Sequence, residues 1–159
     1  MLAPNGVARN RSGQGYNTQP YKGDWNDYLG GRNKNVVGID DVGFISELVN
    51  WAIQRRNGDP KRIYIYGHSN GGMMVQRMII ERPNMFAAAA AVVANLPEAE
   101  VPVPTHGTPL FLMCATSDDY TPYYGGAASA RRGNVRSAEA TRDFFVAANQ
   151  AGPNMINIG

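Results

Sequence analysis

The sequence predicts an α/β fold, a mostly parallel sheet with flanking helices. Three observations point there. Arg62 to Tyr66 and Leu110 to Cys114 are near-continuous apolar runs, the pattern of strands buried on both faces of a parallel sheet. Residues 40–57 and 138–150 repeat their apolar positions at helical spacing. Helix-type and strand-type segments follow one another as helix–strand–helix–strand–strand–helix, the order of an α/β chain.

Taken in order, residues 5–35 read as one long loop rich in glycine and asparagine, anchored by Trp25 and Tyr28, whose rings pack it down. Residues 40–57 make the clearest helix, with Val42, Ile45, Leu48, Val49, Ala52 and Ile53 on one face. Asp40 or Asp41 is its N-cap, and Gly58 with Pro60 stops it. The strand at 62–66 leads through a glycine turn into a helix from about Asn70 to Glu81. Its Met73, Met74, Val75, Met78, Ile79 and Ile80 serve as core packing, and Arg82-Pro83 ends it. A second strand is expected at about 89–94, then a proline-marked loop, then a third buried strand at 110–114. Residues 120–136 read as loop, and Ser137 caps a last helix whose inner face holds Ala138, Thr141, Phe145 and Ala148. The tail from Ala151 begins what reads as another strand.

A chain of 159 residues fits a single domain, 1–159. The net charge of +2 and the absence of a basic cluster interleaved with aromatics argue against a nucleic-acid partner. One cysteine, Cys114, allows no internal disulfide and is expected in the core; with two histidines it makes no zinc signature, so no metal and no cofactor is expected. No stretch is long enough to span a membrane, so no membrane partner is expected, and Met1-Leu2-Ala3-Pro4 shows no charged-then-apolar signal pattern.

The chemistry concentrates at Gly67-His68-Ser69-Asn70-Gly71. It matches G-x-S-x-G in the context that motif needs, strand then sharp turn then helix. Ser69 is the candidate nucleophile. Gly67 and Gly71 are expected to keep Cβ atoms out of a crowded elbow. The backbone N–H of Asn70, at the helix N-terminus, is the candidate oxyanion donor. A phosphate-binding loop also joins strand to helix, but there is neither G-x-G-x-x-G nor Gly-Lys-Ser/Thr here. Ligand sites in parallel sheets lie beyond the strand C-terminal ends. Asp118 follows the strand two positions after that of Ser69, where a base-orienting carboxylate belongs. Of Asp118 and Asp119, Asp118 is chosen because it lies nearer the strand end.

With these residues in view, the chain resembles α/β-hydrolases of the polyhydroxybutyrate depolymerase and feruloyl esterase-like group. The resemblance runs from about residue 4 to 150. It rests on Ile39-Asp40-Asp41-Val42-Gly43-Phe44-Ile45, on Gly67 to Met73, on Glu81-Arg82-Pro83 with Phe86-Ala87-Ala88, and on Thr116 and Asp118 followed by Pro122-Tyr123 and Gly125-Gly126. Pro4-Asn5-Gly6 and Trp25-Asn26-Asp27 resemble a loop after an earlier strand of that group. The resemblance implies Ser69 as nucleophile, Asp118 as triad acid and a commonly secreted enzyme. Cys114-Ala115-Thr116 stands where the group usually has His-Gly-Thr. The group's N-terminal strand and its late catalytic histidine have no counterpart, so the chain reads as the middle of a longer enzyme with a partial α/β-hydrolase fold. His68 is expected to point away from Ser69. His106 precedes the third strand, about 17 Å from the catalytic edge, so neither is a convincing base. The expected function is a serine esterase forming an acyl-enzyme on Ser69. Its substrates would be a small-molecule or polyester ester: short hydroxyalkanoate, feruloyl or acetyl esters, or small synthetic esters. The alternative is a catalytically incomplete fragment or non-catalytic binding module. Exposed sheet edges would favour a homo-oligomer.

Overall fold

The computed structural model describes residues 1–4, 24–29, 38–129 and 132–152. Most of the loop expected at 5–35 and most of the tail after Ala151 lie outside these residues. The first helix, α1, spans Asp41–Arg56. Asp40 is its N-cap, its Oδ1 accepting from Gly43 N at 2.8 Å, which satisfies one of the first free amides. It ends on Asn57 in the left-handed region (φ 54°), and Gly58 N donates to Ala52 O. A short 3₁₀ turn, Pro60–Arg62, leads into β1, Tyr64–His68, and α2 follows directly as Asn70–Glu81. Next come β2, Ala88–Val92, and β3, Leu110–Met113.

These three strands form a parallel sheet in the order β1-β2-β3, with Tyr66 opposite Ala90 and Ala90 opposite Phe111. The last helix, α3, spans Ala138–Ala148, with Ser137 Oγ accepting from Ala140 N at 3.0 Å. Within 120–136, read from the sequence as loop, lies a small antiparallel hairpin of β4, Gly126–Ala128, and β5, Gly133–Val135. Three-residue strands are too short for alternation to show.

Period two puts Ile65, Gly67, Ala89, Ala91, Leu110 and Leu112 on one sheet face. That face meets the core, in which Met73, Met74, Val75, Met78, Ile79 and Ile80 of α2 are buried with Val42, Ile45, Phe86 and Phe145. The other face carries Tyr64, Tyr66, His68, Phe111 and Met113. Tyr64 and Tyr66 are 66% and 69% exposed, and Phe111 and Met113 are 61% and 53% exposed. The expectation of strands buried on both faces therefore holds for one face only. Apolar composition shows that a strand can be buried, whereas the neighbouring elements decide whether it is. Cys114 is likewise only half-buried, its Sγ 3.4 Å from Asn95 Oδ1.

Candidate functional site

A single residue, Ser69, joins β1 to α2, and it adopts φ 53°, ψ −124°. That conformation is rare for a residue with a Cβ and costs on the order of 1–3 kcal/mol, so the surroundings must hold it. They do so from both sides. Ser69 N donates to Val92 O of the neighbouring strand at 2.8 Å, and Ser69 O accepts from Met73 N at 2.9 Å. Being first in α2, the amides of Asn70 and Gly71 have no acceptor one turn back and face the positive end of the helix dipole.

Crowding at this turn falls on Gly67 and Gly72 rather than on Gly67 and Gly71. A Cβ at 67 would drive into the Gly71 carbonyl and lie 2.8 Å from Gly72 N; one at 72 would lie 2.8 Å from Ala94 Cβ and 3.0 Å from Gly67 O. At 71 it would meet only Trp25 Nε1, at 4.0 Å.

Residues 24–29 pack behind the turn, with Trp25, Tyr28 and Leu29 against the core. Asn70 Oδ1 accepts from Trp25 N at 2.7 Å, and Asn70 Nδ2 donates to Trp25 O at 3.2 Å and to Asp27 Oδ2 at 2.5 Å. Asp27 is 4% exposed and pairs with Arg132 Nη1 at 3.1 Å, while Arg132 Nη2 reaches Asp24 at 2.6 Å. Burial pushes the Asp27 carboxyl above its ordinary value, with Arg132 and Asn70 pulling the other way. Asp41 does not cap α1; its Oδ2 accepts from Asn26 N at 2.7 Å. Arg77 of α2 donates to Asn26 O at 2.6 Å, pairs with Glu81 and lies over the Tyr28 ring.

The segment after β2 is equally pinned. Val93 has φ 53°, an outlier for a β-branched residue. Buried Asn95 donates to Pro122 O at 3.0 Å, buried Gln76 donates to Ala94 O, and Leu96 N donates to Thr141 Oγ1.

Because the three strands are parallel, Ser69 after β1 and Asp118 after β3 lie at the same end of the sheet. Two strand spacings separate them laterally, roughly 10 Å. Asp118 is half-buried and its Oδ1 accepts from Tyr120 N at 2.7 Å and Thr121 N at 2.9 Å, whereas Asp119 is exposed. His106 is exposed and precedes β3, at the opposite end of the sheet. His68, expected to point away from Ser69, is exposed on the open sheet face. Sequence reasoning missed Arg132, Val93, Asn95 and the burial of Asp27. The Trp25-Asn26-Asp27 run was visible, but the partner of Asp27 lies 105 residues away. Among the described residues no cluster of histidine, cysteine or carboxylate could hold a metal ion, and no helix is long and apolar enough to cross a membrane.

Comparison with known proteins gives this arrangement a context. NocK of Nocardia uniformis subsp. tsuyamanensis is 34% identical over 86 residues, 54% of this chain and 25% of NocK. Acetylxylan esterase A of Emericella nidulans is 34% identical over 76 residues, 48% of this chain and 25% of that enzyme. Feruloyl esterase B of Neurospora crassa is 41% identical over 55 residues, 35% of this chain and 18% of that enzyme. The matched segments thus span a quarter or less of these relatives. No solved structure matches at a significant level. The prolyl oligopeptidase family profile matches residues 18–99, a segment that includes α1, the turn at Ser69 and β2. With half of its length inside that profile and a parallel sheet crossing directly into α2, the chain belongs to the prolyl oligopeptidase family, an α/β-hydrolase family.

Proposed function

We propose that the chain carries the nucleophile half of a serine hydrolase acting on carboxylic esters. The observation that carries this reading is Ser69 held at positive φ between a parallel strand and a helix N-terminus. Ser69 Oγ attacks the ester carbonyl. Its proton passes to an imidazole oriented by Asp118 and then to the leaving alcohol, giving an acyl-Ser69 ester. Water, deprotonated by the same base, releases the acid and restores the serine. The Asn70 amide donates to the oxyanion in both steps. His106 sits at the wrong end of the sheet and His68 on its open face, so the imidazole comes from outside these residues. The names of the relatives favour acetyl esters of xylan and feruloyl esters as substrates.

The experiment is hydrolysis of p-nitrophenyl acetate with and without added imidazole, alongside mass spectrometry of acyl-Ser69. Imidazole-stimulated turnover and acylation that vanish in Ser69→Ala are the expected result. Equal rates and equal acylation in the two proteins would refute the assignment. Loss of activity in Asp119→Asn with none in Asp118→Asn would reassign the acid. A second reading, a scaffold that binds without turnover, is favoured by the placement of both histidines. Stable binding of a feruloyl ester without Ser69-dependent release of ferulate would support it.

A further inference from the structure

We propose that Asp27 and Arg132 form a buried clamp that sets the position of Asn70, and with it the oxyanion donor, and that ties this donor to the loop carrying Asp118. The inference rests on the reading of Ser69 and Asn70 given above and names positioning residues for it. Asn70 uses its carboxamide fully on one side of the turn, with one bond accepted from Trp25 N and two donated, to Trp25 O and Asp27 Oδ2. Three bonds on a planar group leave the side chain no free rotation. The residue's own backbone amide nitrogen, bonded directly to the same Cα, is then held in one direction. The bond to Asp27 is charge-assisted, so it is the strong member of the set.

A carboxylate this deeply buried must have a counter-charge, and Arg132 supplies it through one arm of its guanidinium. The other arm takes Asp24, so the fork joins two residues of the 24–29 segment, Asp24 and Asp27.

Arg132 belongs to the turn that opens β5. The hairpin is bonded in turn to the acid loop, since Ser129 N donates to Tyr120 O and Tyr120 N donates to Asp118 Oδ1. The β4–β5 ladder, with Ala128 opposite Gly133, carries this link on to Arg132, so a path of hydrogen bonds joins the two sides of the catalytic edge: Asp118, Tyr120, Ser129, the β4–β5 ladder, Arg132, Asp27 and Asn70. In a simple loop anchor, any bond to residues 24–29 would serve. Here the buried charge is spent on Asn70 itself, the residue after the nucleophile.

The test uses the full chain as Asp27→Asn, Asp27→Glu, Arg132→Lys and Arg132→Gln, with the Asp27→Asn/Arg132→Gln double variant. One readout is imidazole-stimulated, Ser69-dependent hydrolysis of p-nitrophenyl acetate. The other is hydrogen exchange of the Asn70 carboxamide by NMR, which needs no turnover. Misplacing a catalytic group by about 1 Å can cost about a hundredfold. The expected loss in kcat for Asp27→Asn is about ten- to a hundredfold, with KM changed by no more than about twofold. The double variant should be no worse than the worse single, because both break one device. Arg132→Lys, which keeps the charge and loses the fork, should fall between wild type and Arg132→Gln. Exchange of the Asn70 carboxamide should quicken at least about tenfold in Asp27→Asn. An unchanged exchange rate, additive losses, or a loss confined to KM would overturn the clamp. Faster exchange in a protein whose wild type shows no Ser69-dependent turnover would keep the clamp and remove the catalytic reading. Should Asp27→Asn fail to fold, Asp27→Glu and Arg132→Lys carry the same comparison.

Discussion

One methyl group, moved among three neighbouring glycines, separates the steric roles at the turn. Gly67→Ala places a carbon inside the Gly71 carbonyl and 2.8 Å from Gly72 N, all backbone atoms that no rotamer change can move. Ordinary carbon contacts lie at about 3.5–4.0 Å, so β1 and α2 would have to separate by on the order of 1 Å. Overpacking of that kind costs about 3 kcal/mol or more. Gly72→Ala meets Ala94 Cβ at 2.8 Å and Gly67 O at 3.0 Å, a milder clash against the next strand. Its overpacking cost of about 1–3 kcal/mol is partly offset by roughly 1 kcal/mol of helix propensity.

Gly71→Ala has open space and stands in the first turn of α2 at a negative φ, so it should gain about 0.4–1 kcal/mol. At about 2–4 °C per kcal/mol for a chain of this size, Tm should fall by about 6–12 °C for Gly67→Ala, fall by at most about 8 °C for Gly72→Ala, and rise by about 1–4 °C for Gly71→Ala. Thermal melts followed by far-ultraviolet circular dichroism measure all three. A Gly71→Ala protein as destabilised as Gly67→Ala, or a neutral Gly67→Ala, would refute the steric reasoning.

Three further outcomes are expected. Burial raises the Asp27 carboxyl from its ordinary 3.8, so its contribution to stability is complete below that pH and is lost as pH rises through the folded value. Wild type should therefore lose stability relative to Asp27→Asn as pH rises through that window in urea titrations. A difference that grows in favour of wild type would mean that the Arg132 pair outweighs burial. The Cys114 thiol is pushed up by burial and by the negative charge of Asp118, with a backbone bond at Ala94 opposing. Its alkylation by iodoacetamide at pH 8 should be about tenfold slower than that of glutathione, and an equal rate would contradict the placement. The open sheet face of Tyr64, Tyr66, Phe111 and Met113 should drive self-association. Sedimentation should show a smaller species for Tyr66→Glu/Phe111→Glu than for wild type, and a monomeric wild type at high concentration would exclude it.

Much of the local structure was legible because its causes are local. Asp40 and Ser137 cap helices through bonds three residues long, and the apolar period of 70–81 marks a helix that is now seen buried from Gly72 to Met78 with one half-exposed break, Arg77. The spacing around Ser69 announced a strand–turn–helix joint, and the joint is there. The bounds of β2 and β3 came within one or two residues. The hairpin at 126–135 was not legible, because three-residue strands rich in glycine and alanine carry no period.

What the sequence determined by itself is therefore the order of the helices and of the three main-sheet strands, and the place of the turn at Ser69, since these follow from contacts between near neighbours. Period two also assigned residues to sheet faces, but it could not say which face is covered. That depended on where α1, α2 and α3 pack, and left Tyr66 and Phe111 exposed. Tertiary structure alone decided that Asp27 is buried, that Arg132 reaches it, and that Gly72 rather than Gly71 is the crowded glycine. The physical reason is the same in each case. These are encounters between groups 45 or 105 residues apart, or between a Cβ and the next strand, and no local pattern encodes the meeting of distant segments.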